Sequence, residues 1–446
     1  MPPTGPDRPT YAGAARLPGT PAAPATITLD DAAVVLAVDG ASPRTVAYRD
    51  LAVIAITGGV GLLATGEEPD AERWLLERFG AGTGPMVAEL RERRLRQRLA
   101  DAFVTLPEST PVELAEYADG DEQGVAQLAV DAWGVTLAPI DERQPVRRIR
   151  RADIMGVELL PAVGGVRVAA ADGGFDLLRL GAAAARHRAA LAELPAAAHR
   201  DAGAIVAALL PDLPAGAAGR AATALVDGRP ATPADLGDAW DPFERGVLGE
   251  PTFAASYLAL RERAGGAGAL RWLALAPERP GTPERHRAWF LVALPGNLVA
   301  LELVSEGAHA TYLFRTVPRA TFGGGSEPAG IDPAAAGRAV AWISAALVDA
   351  RFLREPIALP DAQLATPEGI RYRLALRAIP SLAAARADFV ARLVHRDEAS
   401  WGAALDGLIA WHAACRDDTA TWPGRAAQEA QVSEASGESW GGGAAG

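Results

Sequence analysis

The first half of the chain repeats one pattern of short apolar segments, and any fold of the chain has to accommodate this repeat. One copy has an apolar segment at 34–37, a loop, and a second segment at 45–51. The other copy has the same order at 135–138 and 148–154. Short segments separated by loops that contain Asp and Pro predict β-strands joined by turns. We therefore expect two successive small sheets.

Both copies continue with a glycine pair and end in a predicted helix. Gly58–Gly59 and Gly164–Gly165 each lie between two apolar segments. This arrangement predicts a tight hairpin, because glycine tolerates the positive φ of such turns. The closing helices are predicted from Met86 to Phe103 and from Ala183 to Leu194. The offset between the copies grows from 101 residues at the first strand to 106 at the glycine pair, as loop insertions would produce.

The order of these elements resembles the pleckstrin-homology-like superfold, particularly its bacterial and GRAM-like members. In each copy a strand, a loop with proline and a second strand lead into YRDL (48–51) or RADI (151–154), followed by a hairpin and the closing helix. The resemblance covers residues 26–104 and 105–196. It implies two tandem β-barrel-like domains, each closed by a helix. In lipid-binding members of that superfold, basic residues on early strands hold the head group.

Composition divides the rest of the chain into further segments. Residues 1–25 and 417–446 are poor in branched apolar side chains, so both are predicted to be disordered. Residues 197–240 are rich in Ala, Pro and Gly and are predicted to form a partly helical connector. Residues 241–416 are predicted to form an α+β domain, so the fold class is α+β throughout.

The α+β domain is predicted to contain an antiparallel meander followed by helices. The turn Pro295-Gly296-Asn297 separates the second and third of its apolar segments. After the meander, Asp332 and Pro333 form a typical helix start. The predicted strands are Leu270–Leu275, Ala288–Leu294, Leu298–Val304 and Thr311–Val317.

The charged residues exclude several classes of function. The chain has no Lys, so all 43 positive charges are Arg. P-loops, protein kinases and Schiff-base enzymes all require a lysine. A net charge of −12 argues against binding to nucleic acid and allows at most a peripheral contact with membranes. One cysteine, no signal-like segment and no apolar stretch of about 20 residues predict a cytoplasmic protein.

Several motif matches lack the residues that their chemistry needs. His395-Arg396-Asp397 resembles a kinase catalytic loop, but Gly402 stands where the metal-binding Asn belongs. The glycines at 80–84 resemble a dinucleotide loop, but a helix is predicted at 72–79 where the fingerprint needs a strand. His412 and Cys415 lie three residues apart and lack further ligands nearby. We therefore predict neither a metal site nor a cofactor.

An arginine cluster around 143–151 is the best-defined polar feature. On a strand, Arg148 and Arg150 share one face and Ile149 points to the other. With Ile149 in the core, Arg148 and Arg150 are expected to point to water, and Arg151 to reach out at the strand end. Such guanidinium groups grip phosphate or carboxylate well; the alternative is a solvated edge neutralised by acidic residues upstream. The predicted ligand-binding residues are Arg147, Arg148, Arg150 and Arg151.

A second polar group is predicted in the α+β domain. His309 and Arg315 alternate on one face of a predicted strand, and Glu302 lies on its expected neighbour. A carboxylate, an imidazole and a guanidinium near one sheet can form a site. The sequence supplies no nucleophile beside them, so no catalytic residue is predicted.

Taken together, these features predict a non-enzymatic adaptor or scaffold that binds a protein or peptide partner through the tandem domains. Two alternatives stay open. The first is recognition of an anionic ligand or lipid head group by the strand at 143–151. The second is an enzyme in the α+β domain that uses Glu302, His309 and Arg315.

Overall fold

The described part of the chain combines antiparallel sheets with helices. The coordinates are those of a computed structural model. It describes residues 9–424 apart from 18, 52, 66–71, 105–112, 121, 141–143, 145, 172, 250, 305–309, 319–330, 367–368, 396, 416 and 418–419. Contacts divide the chain into two units, one formed by 1–117, 122–129 and 136–147, and the other by 118–121, 130–135 and 148–446. The predicted domain boundaries differ from these limits and stay predictions.

The first sheet has seven strands in the order β4-β3-β2-β1-β7-β6-β5. Its strands are β1 (Thr10–Arg16), β2 (Ala23–Leu29), β3 (Ala33–Val38), β4 (Arg44–Ala47), β5 (Val53–Thr57), β6 (Val60–Ala64) and β7 (Arg73–Glu77). Helix α1 (Thr83–Asp101) follows. Ile27, Leu29, Trp74, Leu76 and Leu90 lie in one buried cluster, so the helix packs on the same core as the sheet.

Two expectations about this sheet are corrected. Strand β1 lies within the segment 1–25 that composition predicted to be disordered. Both of its edges are hydrogen-bonded, by β2 and by β7, and this pairing stabilises a strand of small residues. The segment 72–79, predicted to be helical, contains strand β7. Trp74 and Leu76 are buried and alternate with less buried neighbours, which is the period of a strand.

The second sheet also has seven strands, in the order β11-β10-β9-β8-β14-β13-β12, which repeats the order of the first sheet strand for strand. Its strands are β8 (Glu113–Asp119), β9 (Glu122–Asp131), β10 (Gly134–Pro139), β11 (Arg147–Arg150), β12 (Ile154–Leu160), β13 (Gly165–Ala170) and β14 (Phe175–Leu178). The closing helix α2 (Ala184–Leu209) extends well past its predicted end at Leu194, through Pro195.

Equivalent local structures recur in the two sheets. A single turn of 3-10 helix separates the fourth and fifth strands, at Tyr48–Asp50 and at Arg151–Asp153. The backbone N–H of Tyr48 donates to Ala32 O (3.1 Å), and that of Arg151 donates to Trp133 O (2.8 Å). Tyr48 and Arg151 are therefore structural counterparts, and both side chains are buried.

The chain also enters both closing helices through one backbone conformation. Arg78 and Gly80 have φ values of 59° and 55°, and Arg179 and Gly181 have values of 55° and 57°. A left-handed conformation is uncommon for arginine, so its recurrence marks a shared turn. The glycines at 80–84 thus follow a strand after all, but that strand belongs to an antiparallel sheet, whereas a dinucleotide fingerprint requires a parallel βαβ unit.

The third sheet has five strands in the order β15-β16-β17-β18-β19. Its strands are β15 (Arg271–Pro277), β16 (His286–Leu294), β17 (Leu298–Val304), β18 (Ala310–Arg315) and β19 (Phe389–Val394). The first four confirm the predicted meander, and Gly296 and Asn297 have φ values of 78° and 57° in the predicted turn. Strand β19, which was not predicted, pairs antiparallel with β18.

Helices precede and follow the strands of this sheet along the chain, and several of them pack against it. They are α3 (Ala215–Ala224), α4 (Pro233–Leu236), α5 (Trp240–Leu248), α6 (Pro251–Arg263), α7 (Pro333–Asp349), α8 (Glu355–Ala358), α9 (Asp361–Leu364), α10 (Ile370–Ala378), α11 (Pro380–Asp388) and α12 (Glu398–Ala414). Leu225, Val226 and Trp240, from the segment 197–240, share one buried cluster with Leu273 and Phe290. Asp332 caps α7 as predicted, accepting from the N–H of Ala334. None of the described helices has the length and apolar character of a membrane span.

Candidate functional site

The predicted arginine cluster lies on β11 and in the turn that follows it. Ile149 is buried, as predicted. The opposite face of β11 is not open to water, however. The Arg148 side chain is only 9% exposed, with its Nη2 3.9 Å from Asp131 Oδ2. Arg150 Nε donates to Asp153 Oδ2 at 2.7 Å, and this carboxylate contributes to a raised pKa of Arg150 despite the opposing effect of burial.

Arg151 lies at the centre of a buried ion cluster and does not reach solvent, contrary to expectation. Its side chain is 1% exposed. Nη1 donates to Asp201 Oδ2 at 2.7 Å, and Nη2 donates to Asp227 Oδ1 at 3.0 Å. Burial lowers the pKa of Arg151, but the two carboxylates more than offset this and leave it raised. Asp201 lies on α2 and Asp227 in a later turn, so the local sequence of β11 carried no sign of either partner.

The remaining members of the cluster do not gather around one point. Arg147 is half-buried on β11, and Arg143 lies outside the described residues. The structure thus separates the predicted set into an arginine beside Asp131, an arginine paired with Asp153 and a buried arginine between two aspartates. Whether these residues bind an anion as a set stays a prediction.

Arg148 does lie beside polar residues that sequence reasoning missed. The Arg351 guanidinium stacks on the Trp133 ring, with its carbon 3.8 Å from the ring centroid. Arg351 Nη2 lies 3.8 Å from Asp131 Oδ2, so two arginines face the same carboxylate oxygen. The other oxygen, Oδ1, accepts from the N–H groups of Trp133 (2.8 Å) and Gly134 (3.0 Å). Asp131 could have been predicted as a turn residue, because Asp followed three residues later by Gly134 is a common turn pattern. No local sequence pattern predicts that Arg351 lies beside it.

The pKa of Arg351 shows how its buried position and its charged neighbours act on it. Burial and, after it, the positive charge of Arg148 lower the pKa of Arg351 to about 9, while Asp131 opposes the shift. Two guanidinium groups therefore repel each other across one carboxylate. The group, which we call the Arg148–Arg351 site, consists of Arg148, Arg351, Asp131 and Trp133.

The second predicted group is not assembled as expected. His309 lies outside the described residues. Arg315 donates from Nη2 to Ala387 O at 2.9 Å and lies opposite Leu298 in the register of β17 and β18. Glu302 is four residues further along β17, which is about 13 Å at the rise of a strand. The structure does not bring Glu302 and Arg315 together.

Glu302 belongs instead to a buried polar cluster with Thr311, His395 and Trp401. Thr311 Oγ1 donates to Glu302 Oε1 and accepts from Trp401 Nε1 at 2.9 Å. His395 Nε2 lies 2.8 Å from Thr311 Oγ1 and 3.2 Å from Glu302 Oε1. Because the hydroxyl proton goes to Glu302, the ring proton of His395 belongs on Nε2.

This cluster contains the residue types of a nucleophilic triad but lacks its accessibility. Thr311 is 0% exposed and Glu302 1% exposed. A nucleophile has to reach its substrate, and the Thr311 hydroxyl is already bonded to Glu302, His395 and Trp401. The cluster therefore links β17, β18 and the residues around α12 structurally.

The other motif matches have structural roles in the fold. Asp397 accepts from the N–H of Ser400 at 2.8 Å and caps α12, so the kinase-like triplet lies at a helix start. His412 is buried with Nδ1 3.0 Å from Gly296 O. Within the residues that the structure describes, no group of three or more His, Cys, Asp or Glu side chains is placed to hold a metal.

Comparison with known proteins adds no functional information. No protein-family model matches the chain, and no curated protein matches it. Two features of the molecule therefore bear on its function. One is the strand order that the first two sheets share, and the other is the chemistry of the exposed and buried side chains described above.

Proposed function

We propose that the protein is a non-enzymatic adaptor that binds a peptide segment of a partner protein through two tandem domains of the pleckstrin-homology-like type. The observation that supports this most is the identical order of the two seven-stranded sheets, each followed by a helix. The matching turns at Tyr48 and Arg151 add to it, because two unrelated sheets have no reason to share them. Duplicated small sheets of this kind serve binding more readily than catalysis, an argument from fold rather than from a site.

Strand β12 provides the surface that best fits an extended peptide. Among the described strands it is the last in the order of the second sheet, so one of its edges has no neighbouring strand in that part of the chain. Met155, Leu159 and Val163 are 74%, 43% and 46% exposed along and just beyond it. A bulge between Ile154 and Gly156 leaves Met155 without a cross-strand partner. An unpaired strand edge with exposed apolar side chains can accept a further strand, whose backbone gives affinity and whose side chains give specificity.

The test compares partner binding by the wild-type chain with that of a Met155→Asp, Leu159→Asp double variant. Partners are captured from native lysate on the immobilised protein and identified, and their affinities are then measured with purified protein. We expect the double variant to bind at least about tenfold more weakly, because two apolar anchors at the centre of an interface are replaced by charges.

The matched control is Leu258→Asp, which places the same charge on a half-exposed leucine of α6. It should bind the partner as the wild type does. Equal binding by the wild type and the double variant would show that β12 is not the interface. Failure to capture any partner above background would count against the adaptor function itself.

A further inference from the structure

Strands β5 and β12 hold the same place at the end of their sheets, but an arginine of the closing helix occupies the edge of β5. Arg91 Nε and Nη2 donate to Ile54 O at 3.1 Å and 3.0 Å. The N–H of Thr65 donates to Glu72 O, so Leu63, two residues earlier on β6, directs its backbone groups to β7. Its partner Ile54 therefore faces the open edge. Arg91 thus takes an acceptor that an added strand would use.

The corresponding position on β12 is Val157. It pairs with Val168 as Ile54 pairs with Leu63. Val168 and Leu63 each pair in turn with a buried aromatic residue on the next strand of their sheet. Because the register is the same across three strands, the carbonyl of Val157 is the counterpart of the Ile54 carbonyl.

The closing helix of the second copy has no arginine at the position of Arg91. Gly80 and Gly181 mark the turn that leads into the two helices. At the same distance beyond them lie Arg91 in α1 and Ala192 in α2. Ala192 is exposed, and its methyl side chain cannot donate a hydrogen bond. The contact that closes β5 therefore has no equivalent from this position at β12.

A row of alternating charges ends at the edge of β12. Arg167 on β13 lies opposite Asp176 on one side and opposite Glu158 on the other. Its Nε and Nη2 donate to the two oxygens of Asp176, each at 2.8 Å. Asp176 and, to a smaller extent, Glu158 raise the pKa of Arg167. The row holds two carboxylates and one guanidinium, so a basic residue opposite the exposed Glu158 on an added strand would continue the alternation.

The neighbouring rows of the same strands are apolar. Val157 and Leu159 lie opposite Val168 and Val166, which are both 0% exposed. Leu159 itself is 43% exposed at the end of its row. Side chains on opposite faces alternate along a strand, so the residues before and after the basic one would lie beside Val157 and Leu159. Apolar side chains at these two positions would extend the buried rows.

We infer that β12 selects an extended peptide with the pattern apolar–basic–apolar, in which the basic residue lies opposite Glu158 and the apolar residues lie beside Val157 and Leu159. The inference rests on the proposed peptide binding at β12 and adds the sequence that this edge selects. The equivalent edge of the first copy takes no peptide, because Arg91 occupies the Ile54 carbonyl.

The experiment selects random peptides, displayed on phage, against the immobilised full chain. Enriched peptides are sequenced, synthesised and titrated by fluorescence anisotropy. We expect Arg or Lys between two apolar residues to be enriched. Glu158→Gln should weaken binding of such a peptide by about two- to fivefold, the size of a cross-strand charge pair. The same peptide with Gln in place of its basic residue should bind the wild type and Glu158→Gln equally.

A second variant closes the edge as the first copy does. Ala192→Arg should weaken binding of the enriched peptide by at least about tenfold, because the new guanidinium can reach Val157 O as Arg91 reaches Ile54 O. The matched control is Ala190→Arg, which adds the same charge at an exposed position on the opposite side of α2. It should bind the peptide as the wild type does.

Three results would overturn the inference and leave peptide binding in place. They are enriched peptides without the basic residue, unchanged affinity in Glu158→Gln, and equal binding by Ala192→Arg and Ala190→Arg. If Ala192→Arg fails to fold, the enriched sequences and Glu158→Gln decide. Failure to enrich any peptide would contradict the proposed function itself, and the inference with it.

Discussion

Replacement of Arg151 by Ala is expected to lower the free energy of unfolding by about 3–5 kcal/mol, because it leaves uncompensated charge in the interior. Arg151 is 1% exposed and bridges Asp201 and Asp227, which are 11% and 0% exposed. Without the guanidinium, two buried carboxylates face each other and must either take up protons or draw in water. Urea denaturation at neutral pH measures the loss.

Protonation should recover part of the lost stability as the pH falls, since the orphaned carboxylates then become neutral. The triple variant Arg151→Met, Asp201→Asn, Asp227→Asn removes all three charges and should be more stable than Arg151→Ala. Arg167→Ala, at an exposed ion pair with Asp176, should leave the unfolding free energy essentially unchanged. If Arg151→Ala behaves like Arg167→Ala, the ion cluster contributes nothing and its assignment is wrong.

Thr311→Val is expected to lower the free energy of unfolding by about 3 kcal/mol, a large effect for a change that conserves side-chain shape. Valine fills the same space, so the loss measures hydrogen bonds rather than a cavity. It removes the acceptor of Trp401 Nε1 and the donor to Glu302 while both remain buried. Of the contacts described above, the one from His395 Nε2 to the carboxylate, at 3.2 Å, would remain.

Thr311→Ser is the matched control, because it keeps the hydroxyl and removes only a methyl group. It should retain most of the stability that Thr311→Val loses. Tryptophan fluorescence is a suitable probe, since the indole of Trp401 bonds directly to Thr311. Equal losses from Val and Ser would show that packing, and not the polar cluster, accounts for the effect.

The sequence predicts those parts of the fold that local chemistry determines. The meander β15 to β18 follows from apolar segments of strand length and from the turn at Gly296 and Asn297, whose left-handed φ values suit glycine and asparagine. The start of α7 follows from Asp332 and Pro333, because a side-chain cap and a proline at the first turn need no distant partner.

Elements that depend on distant pairing could not be predicted. Strand β1 consists largely of small residues and is stabilised by β2 and β7 on either side, which composition does not reveal. Strand β19 pairs with β18 from far along the chain and follows directly after a helix. The sequence of β7 predicts a helix, because Trp74, Leu75 and Leu76 are all apolar and hide the strand-like alternation that appears only in their burial.

The candidate sites show the same division. The arginines of β11 were conspicuous in the sequence, but alternation along a strand gives only the face on which each lies. Whether that face meets water or a later part of the chain depends on the tertiary fold. Arg151 forms ion pairs with Asp201 and Asp227, and Arg148 lies close enough to Arg351 for its charge to lower the pKa of Arg351. No spacing rule links residues so far apart, so Asp131, Trp133 and Arg351 were missed.

Tyr48 in the first copy and Arg151 in the second occupy equivalent positions, but they differ in whether their partners lie within the same copy. The hydroxyl of Tyr48 donates to Asp30 O at 2.8 Å, so this neutral anchor is complete within its own copy. Both counter-ions of Arg151, Asp201 and Asp227, lie downstream of residue 196, the predicted end of the second copy. A recombinant fragment that stops at residue 196 would therefore enclose a cation with no counter-charge. Expression boundaries for the second copy belong beyond Asp227, whatever the similarity of the two sheets would recommend.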